Sequence, residues 1–123
     1  MVPEGHKEIE ILHIGSVELK DLGECEIEVY TEHNEERKSN IPQFRIYNNK
    51  IDSSICIETN TYTINTKNKL NKEQSEQLNQ WLNEKERIFG DITNYEHIKS
   101  MWDICNPDNE TINKEIPDYS NLN

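Results

Sequence analysis

A row of glutamates at every second position is the feature of this sequence best suited to specific chemistry. It consists of Glu24, Glu26 and Glu28 and extends to Glu32. In an extended chain, side chains on one face repeat every ~6.6–7 Å, a spacing similar in scale to that of phosphates along a nucleic-acid strand. Such a ladder could imitate a phosphate row and bind an arginine-rich groove. The alternative is a solvated sheet face, on which glutamates also discourage edge pairing.

Catalysis by these carboxylates or by the cysteines is disfavoured. Acid–base catalysis needs two carboxyl groups in contrasting environments, one of them desolvated, whereas alternation predicts that all these glutamates lie in water. Cys25, Cys56 and Cys105 fall on the apolar phase of their elements or among β-branched residues. That placement is typical of small buried residues and not of activated nucleophiles.

The histidines and glycines lack the spacing of a metal or phosphate site. His6, His13, His33 and His97 form no HxxxH motif and no Cys/His cluster. The four glycines form neither a P-loop nor a dinucleotide-binding pattern. The sequence therefore predicts no metal, no cofactor and no enzymatic activity, with a small enzyme of unrecognised type as the least favoured alternative.

The charge of the chain is unevenly distributed, with a net value of −11. Residues 1–36 hold eleven acids and two lysines, residues 37–72 hold seven bases and two acids, and residues 73–123 hold eleven acids and four bases. This distribution disfavours general binding to nucleic acid and favours contact with basic surfaces. The basic middle segment, which includes Arg45, is a weaker candidate for a nucleic-acid contact.

Period-two alternation predicts four or five short strands in the first half of the chain. The candidates are residues 8–19 with a break at Gly15, 24–32, 43–47 and 51–59, with 61–64 as an extension or a fifth strand. Beyond Leu70 the apolar period changes to that of a helix. Two helices are predicted, one from Asn71 to Gly90 and one from Thr93 to Asn106. Each begins with a capping-box pattern.

These elements predict an α+β fold, in which two C-terminal helices cover one face of an antiparallel sheet of about four or five strands. The glutamates then occupy the other face. We expect residues 1–106 to form a single domain and residues 107–123 a polar tail that could dock through Tyr119. The predicted core consists of Trp81, Leu82, Ile88, Ile98, Met101 and Trp102 packed on Ile27, Val29, Phe44, Ile46, Ile55 and Ile57.

The segment Ile41-Pro-Gln-Phe-Arg-Ile-Tyr47 resembles an Ile-Pro-His-Phe-His strand motif of small uncharacterised phage and mobile-element proteins of low-GC bacteria. The resemblance continues through Ser54-Ile-Cys-Ile-Glu58 and both helices to Pro117-Asp-Tyr119, thus over about residues 41–119. Gln43 and Arg45 stand where that family has its histidines. The resemblance implies a phage-type origin and the order of strands before helices, and it implies no activity.

Taken together, the sequence predicts a small acidic, non-catalytic binding protein. Its expected role is a phage-type inhibitor of a basic host nucleic-acid-binding or defence protein, for example a CRISPR effector, bound through Glu24, Glu26, Glu28 and Glu32. A host regulatory or antitoxin-like interaction module is the alternative. No apolar run reaches the ~18 residues of a membrane span and no signal-peptide pattern opens the chain, so we expect a cytoplasmic protein with reduced thiols.

Overall fold

Four consecutive strands form a sheet in which each strand pairs antiparallel with the next along the chain. The computed structural model describes residues 10–31, 41–64, 66–85, 90–112 and 115–123. The strands are β1 (Ile11–Leu19), β2 (Gly23–Tyr30), β3 (Gln43–Tyr47) and β4 (Asp52–Cys56). Two helices follow, α1 (Lys72–Leu82) and α2 (Asn94–Cys105). This order confirms the predicted α+β class.

Alternation along β2 decides which side of the sheet faces the helices. Cys25, Ile27 and Val29 are all completely buried on the inner face, while the glutamates between them point the other way. β1 contains a bulge between His13 and Gly15, after which its register with β2 is regular again. Trp81 of α1 packs against the strand at Gly15, with its Cζ2 atom 3.6 Å from the position a Cβ would take, which is ordinary van der Waals distance.

Both helices begin as the capping-box patterns predict. The Asn71 side chain accepts from the N–H of Gln74, whose own side chain accepts from the N–H of Asn71, at 2.8 and 2.9 Å. Thr93 and Glu96 make the same reciprocal pair at the start of α2. These bonds satisfy backbone donors that the first turn of a helix leaves without partners.

The predicted C-terminus of the first helix is wrong. α1 ends at Leu82, because Asn83 caps it and the chain then turns toward α2. Lys85 pairs with Thr93 in an isolated β-bridge, and the N–H of Asn94 donates to the carbonyl of Glu84 at 2.8 Å. These backbone bonds are incompatible with a helix that continues toward Gly90, and residues 86–89 lie outside the described residues.

The predicted core is confirmed where the structure describes it, except that Trp81 and Met101 are half-buried at its margin. Ile88 lies outside the described residues. Trp102 is 2% exposed, and its indole N–H donates to the carbonyl of Asn109 at 2.8 Å. A buried indole N–H needs a hydrogen-bond partner, and this bond allows the Trp102 side chain to be buried in the core without an unsatisfied donor.

The C-terminal segment contributes to the same core. Tyr119 is fully buried and packs edge-on against Phe44, with ring centroids 5.9 Å apart. Its hydroxyl lies 2.7 Å from the carbonyl oxygen of Ile57. Four residues later, the backbone of Asn123 bonds to Asn60 and to Tyr62. The last described residues are thus joined to the loop after β4.

Candidate functional site

The outer face of the sheet, opposite the helices, carries the glutamates that the sequence singled out. Glu24, Glu26 and Glu28 project from β2 on this face, and Glu32 lies outside the described residues. In the pairing register, Glu26 lies between Ser16 of β1 and Tyr47 of β3. The face therefore places the β2 carboxylates among side chains of both neighbouring strands, and these neighbours differ from one end of the row to the other.

At one end of the face three carboxylates lie close together, and we call Glu18, Glu24 and Glu26 the acidic end. Glu18 and Glu24 are directly opposite each other across β1 and β2. Glu24 accepts a hydrogen bond from the Ser16 hydroxyl at 3.0 Å, and Glu26 lies 2.9 Å from Nδ1 of His13. Like charges at directly opposite positions destabilise a sheet, so this arrangement favours a cation close to the pair.

The centre of the face is electrically neutralised. Arg45 of β3 donates from Nε and Nη2 to the two oxygens of Asp52, at 2.8 and 3.1 Å, and from Nη1 to Glu28 at 3.2 Å. The three side chains are only 11–18% exposed. The expectation that all these glutamates lie in water therefore does not hold for Glu28. The cause is the register, which places Arg45 directly opposite Glu28.

Arg45 is also held by aromatic rings. Its Cζ lies 3.9 Å from the ring centroid of Tyr47 and 6.0 Å from that of Tyr30. Burial by itself lowers the pKa of Arg45, but the hydrogen bonds and charge of Asp52, with the charge of Glu28, raise it above the usual value. The guanidinium is therefore charged, and each of its three nitrogens donates to a carboxylate, which disfavours it as a contact for nucleic-acid phosphates.

The cysteines differ in their burial. Cys25 is completely buried, and desolvation, followed by the charges of Glu18 and Glu26, raises the pKa of its thiol. Cys56 and Cys105 are only half-buried, so the expectation of three buried cysteines is correct for Cys25 alone. Cys56 points to the outer face because it shares the phase of Asp52 along β4.

The remaining surface of the described residues offers no assembled metal site. No group of three His, Cys, Asp or Glu side chains in these ranges could hold a metal ion. An open cleft of about 380 Å³ lies between the loop after β4 and the C-terminal segment, and its lining includes Glu58, Glu115 and Asp118.

Comparison of the chain with protein-family models, curated protein sequences and solved structures finds no match in any of the three. The family resemblance suggested by the strand motif therefore stays a prediction. Across the part of the chain that the structure describes, neither helix has the length and apolar character needed to cross a lipid bilayer.

Glu18 belongs to the acidic end but was not among the site residues predicted from the sequence. A signal for it was present, because Glu18 alternates with Val17 and Leu19, and both of these side chains are buried. The turn that follows is short and ends at Gly23, whose φ of 77° is easily reached by glycine. A hairpin closed there places Glu18 opposite Glu24.

Proposed function

We propose that the chain is a non-catalytic binding protein whose acidic end docks into a basic, nucleic-acid-binding surface of another protein and thereby inhibits it. The supporting observation is the grouping of Glu18, Glu24 and Glu26 on a sheet face opposite the helices. Within the described residues, no lysine or arginine forms an ion pair with any of the three. Glu24 and Glu26 contact the side chains of Ser16 and His13, and these contacts leave both carboxylates without a lysine or arginine partner in the described ranges.

The contrast between the acidic end and the neutral centre suits such a role. Exposed ion pairs contribute only ~0.2–1 kcal/mol each, so three carboxylates alone give modest affinity. The net charge of −11 adds long-range attraction that speeds association with a basic surface. The Arg45, Glu28 and Asp52 cluster beside them, held by hydrogen bonds across three strands, is a rigid support that limits the entropy lost on binding.

The class of partner follows from the chemistry of the acidic end. Arginine-rich grooves that hold nucleic acid present fixed cations at phosphate spacing, and guanidinium groups bind carboxylates with paired hydrogen bonds. A protein seated in such a groove excludes the nucleic acid by occupying its site. The resemblance to phage proteins favours a host defence nuclease, such as a CRISPR effector, as the protein inhibited.

The test is a displacement assay with a matched pair of variants. Fluorescent DNA is bound to each of a panel of purified RNA-guided and restriction nucleases, and its anisotropy is followed as the protein is added. We expect the wild type to displace DNA from a member of the panel, and the combined variant Glu18→Lys, Glu24→Lys and Glu26→Lys to lose this effect.

The control variant changes the net charge by the same amount as the triple variant of the acidic end, but at positions away from the outer face. Glu76, Glu84 and Glu110 are exposed away from the outer face, and their combined change to lysine is expected to retain most of the displacement. Raising salt should weaken the wild-type effect. Equal displacement by the two variants, or none by the wild type from any nuclease, would contradict the proposed function.

A further inference from the structure

The two edge strands of the sheet differ in their backbone hydrogen bonding, and the outer backbone groups of β4 already have partners. The chain after β4 runs back along it, so that Cys56 N donates to Thr61 O at 2.9 Å and Thr63 N donates to Ser54 O at 2.9 Å. Further along, Asp52 N donates to the side chain of Asn68 at 3.1 Å. An edge whose backbone groups are already bonded cannot add another strand.

No described strand or loop pairs with the outer edge of β1. Thr31 N donates to Glu10 O at 3.0 Å, which shows that the odd-numbered residues of β2 bond to β1. After the bulge, their partners are Gly15 and Val17, so the N–H and C=O groups of Ser16 and Glu18 point outward. Among the residues that the structure describes, none forms a hydrogen bond with these outward groups.

The two sides of this edge have different chemistry. On the outer side lie the carboxylates of the acidic end. On the inner side Trp81 is half-buried against Gly15 and presents an apolar surface beside the strand. Strand residues alternate in direction, so an added strand would place every second side chain on the carboxylates and the others next to the indole of Trp81.

We propose that residues 15–18 of β1 accept an extended segment of the partner as a fifth strand, in which basic and apolar residues alternate. This inference rests on the proposed function, because it specifies how the acidic end holds its basic partner. Backbone bonds to Ser16 and Glu18 provide affinity, and the alternating flanks provide specificity. A second copy of the chain is disfavoured as occupant, because it would bring two acidic ends, each on a chain of charge −11, to one edge.

The test uses a short end-blocked peptide alternating arginine and valine, with a glutamate–valine peptide as comparator. We expect only the arginine peptide to bind and to slow amide exchange at Ser16 and Glu18 by about tenfold or more. Ser16→Pro removes one outward N–H at a position where an edge strand tolerates proline. It should weaken binding by about tenfold, whereas Ser16→Thr should stay within about twofold.

Each other outcome counts against the proposal. If the arginine peptide binds and is weakened by Glu24→Lys and Glu26→Lys, but the amides of Ser16 and Glu18 exchange as before, strand addition is wrong and the proposed function stands. If neither peptide binds, or both bind equally, strand addition by a basic segment is wrong, and the displacement assay decides separately whether the proposed function stands. Protection of the two amides without peptide, in a concentration-dependent dimer, would assign the edge to a second copy and overturn the proposal.

Discussion

Arg45 holds Asp52 through two hydrogen bonds, Nε to Oδ1 at 2.8 Å and Nη2 to Oδ2 at 3.1 Å. The pair is 13% and 11% exposed, so removing one charge leaves the other largely desolvated. We predict that Asp52→Asn lowers the free energy of unfolding by about 2–4 kcal/mol. Lys67 lies 3.8 Å from the same carboxylate but is 68% exposed, and Lys67→Ala should cost less than about 1 kcal/mol. Equal urea midpoints for the two variants would contradict this.

Charge reversal along β2 should affect stability unevenly. Glu28→Lys places an ammonium group directly opposite Arg45 in a poorly hydrated position, and we expect a loss of about 2–4 kcal/mol in the free energy of unfolding. Glu24→Lys replaces an exposed carboxylate facing Glu18 and should leave stability within about 0.5 kcal/mol of the wild type. Thermal unfolding of both variants tests this distinction. Similar losses of stability would mean that Glu28 at the centre and Glu24 at the acidic end are equally well hydrated. For this reason Glu28 is left unchanged in the displacement assay.

Helix α2 offers a direct test of the core. Trp102→Ala removes a side chain that is 2% exposed, and we expect it to cost about 3–5 kcal/mol of unfolding free energy. Ile104 lies on the same helix but is 69% exposed, so Ile104→Ala should change stability by less than about 0.5 kcal/mol. Chemical denaturation followed by circular dichroism measures both. A Trp102→Ala variant as stable as the wild type would refute the packing of α2 on the sheet.

Stability should fall in alkaline solution. Burial, with the charges of Glu58 and Asp103, raises the pKa of Tyr95 to about 12, and burial also raises the pKa of Tyr119. In the unfolded chain both hydroxyls ionise near pH 10. The stabilisation is therefore complete below about pH 10 and is lost as pH rises above it, by up to ~1.4 kcal/mol per pH unit for each tyrosine. Urea titrations between pH 9 and 11 should show this slope, and it should become shallower when both tyrosines are replaced by phenylalanine, with a remainder from Cys25 and Tyr62, whose pKa values burial also raises.

The thiols should react at different rates. The thiolate is the reactive form of cysteine. Cys25 is buried, and burial raises the pKa of its thiol, so little thiolate is present and reagents cannot reach it. We expect a neutral maleimide to label the half-buried Cys56 and Cys105 before Cys25, which should react only as fast as the protein unfolds. Mass spectrometry of timed samples identifies the order. Rapid stoichiometric labelling of folded Cys25 would instead indicate an activated nucleophile.

Local patterns predicted the elements of this fold because they depend on neighbours in the chain. The alternation of Cys25, Ile27 and Val29 assigned the two faces of β2, and the capping residues Asn71 and Thr93 located the starts of both helices. Alternation and capping each involve only a few neighbouring residues, so both can be recognised from the sequence alone.

The neutralisation of Glu28 by Arg45 at the centre of the outer face could not be predicted from such local patterns. Whether Glu28 is solvated depends on the residue opposite it in β3, and the long connection between these strands leaves their register open in the sequence. The end of α1 was missed for a related reason. The bridge between Lys85 and Thr93 is a contact between separate segments, and helical periodicity carries no information about it.

The hydroxyl of Tyr119 bonds to the carbonyl of Ile57, a residue 62 positions earlier in the chain. Ribosomes add roughly 5–20 residues each second, so several seconds separate the synthesis of these two residues. During that interval the sheet can form, but the helices that cover its apolar inner face are added only step by step, and this tyrosine comes after both of them. The nascent chain is therefore exposed to aggregation until the segment that carries Tyr119 emerges. Production of the protein should be sensitive to slow translation downstream of β4 and to the supply of chaperones that bind nascent chains.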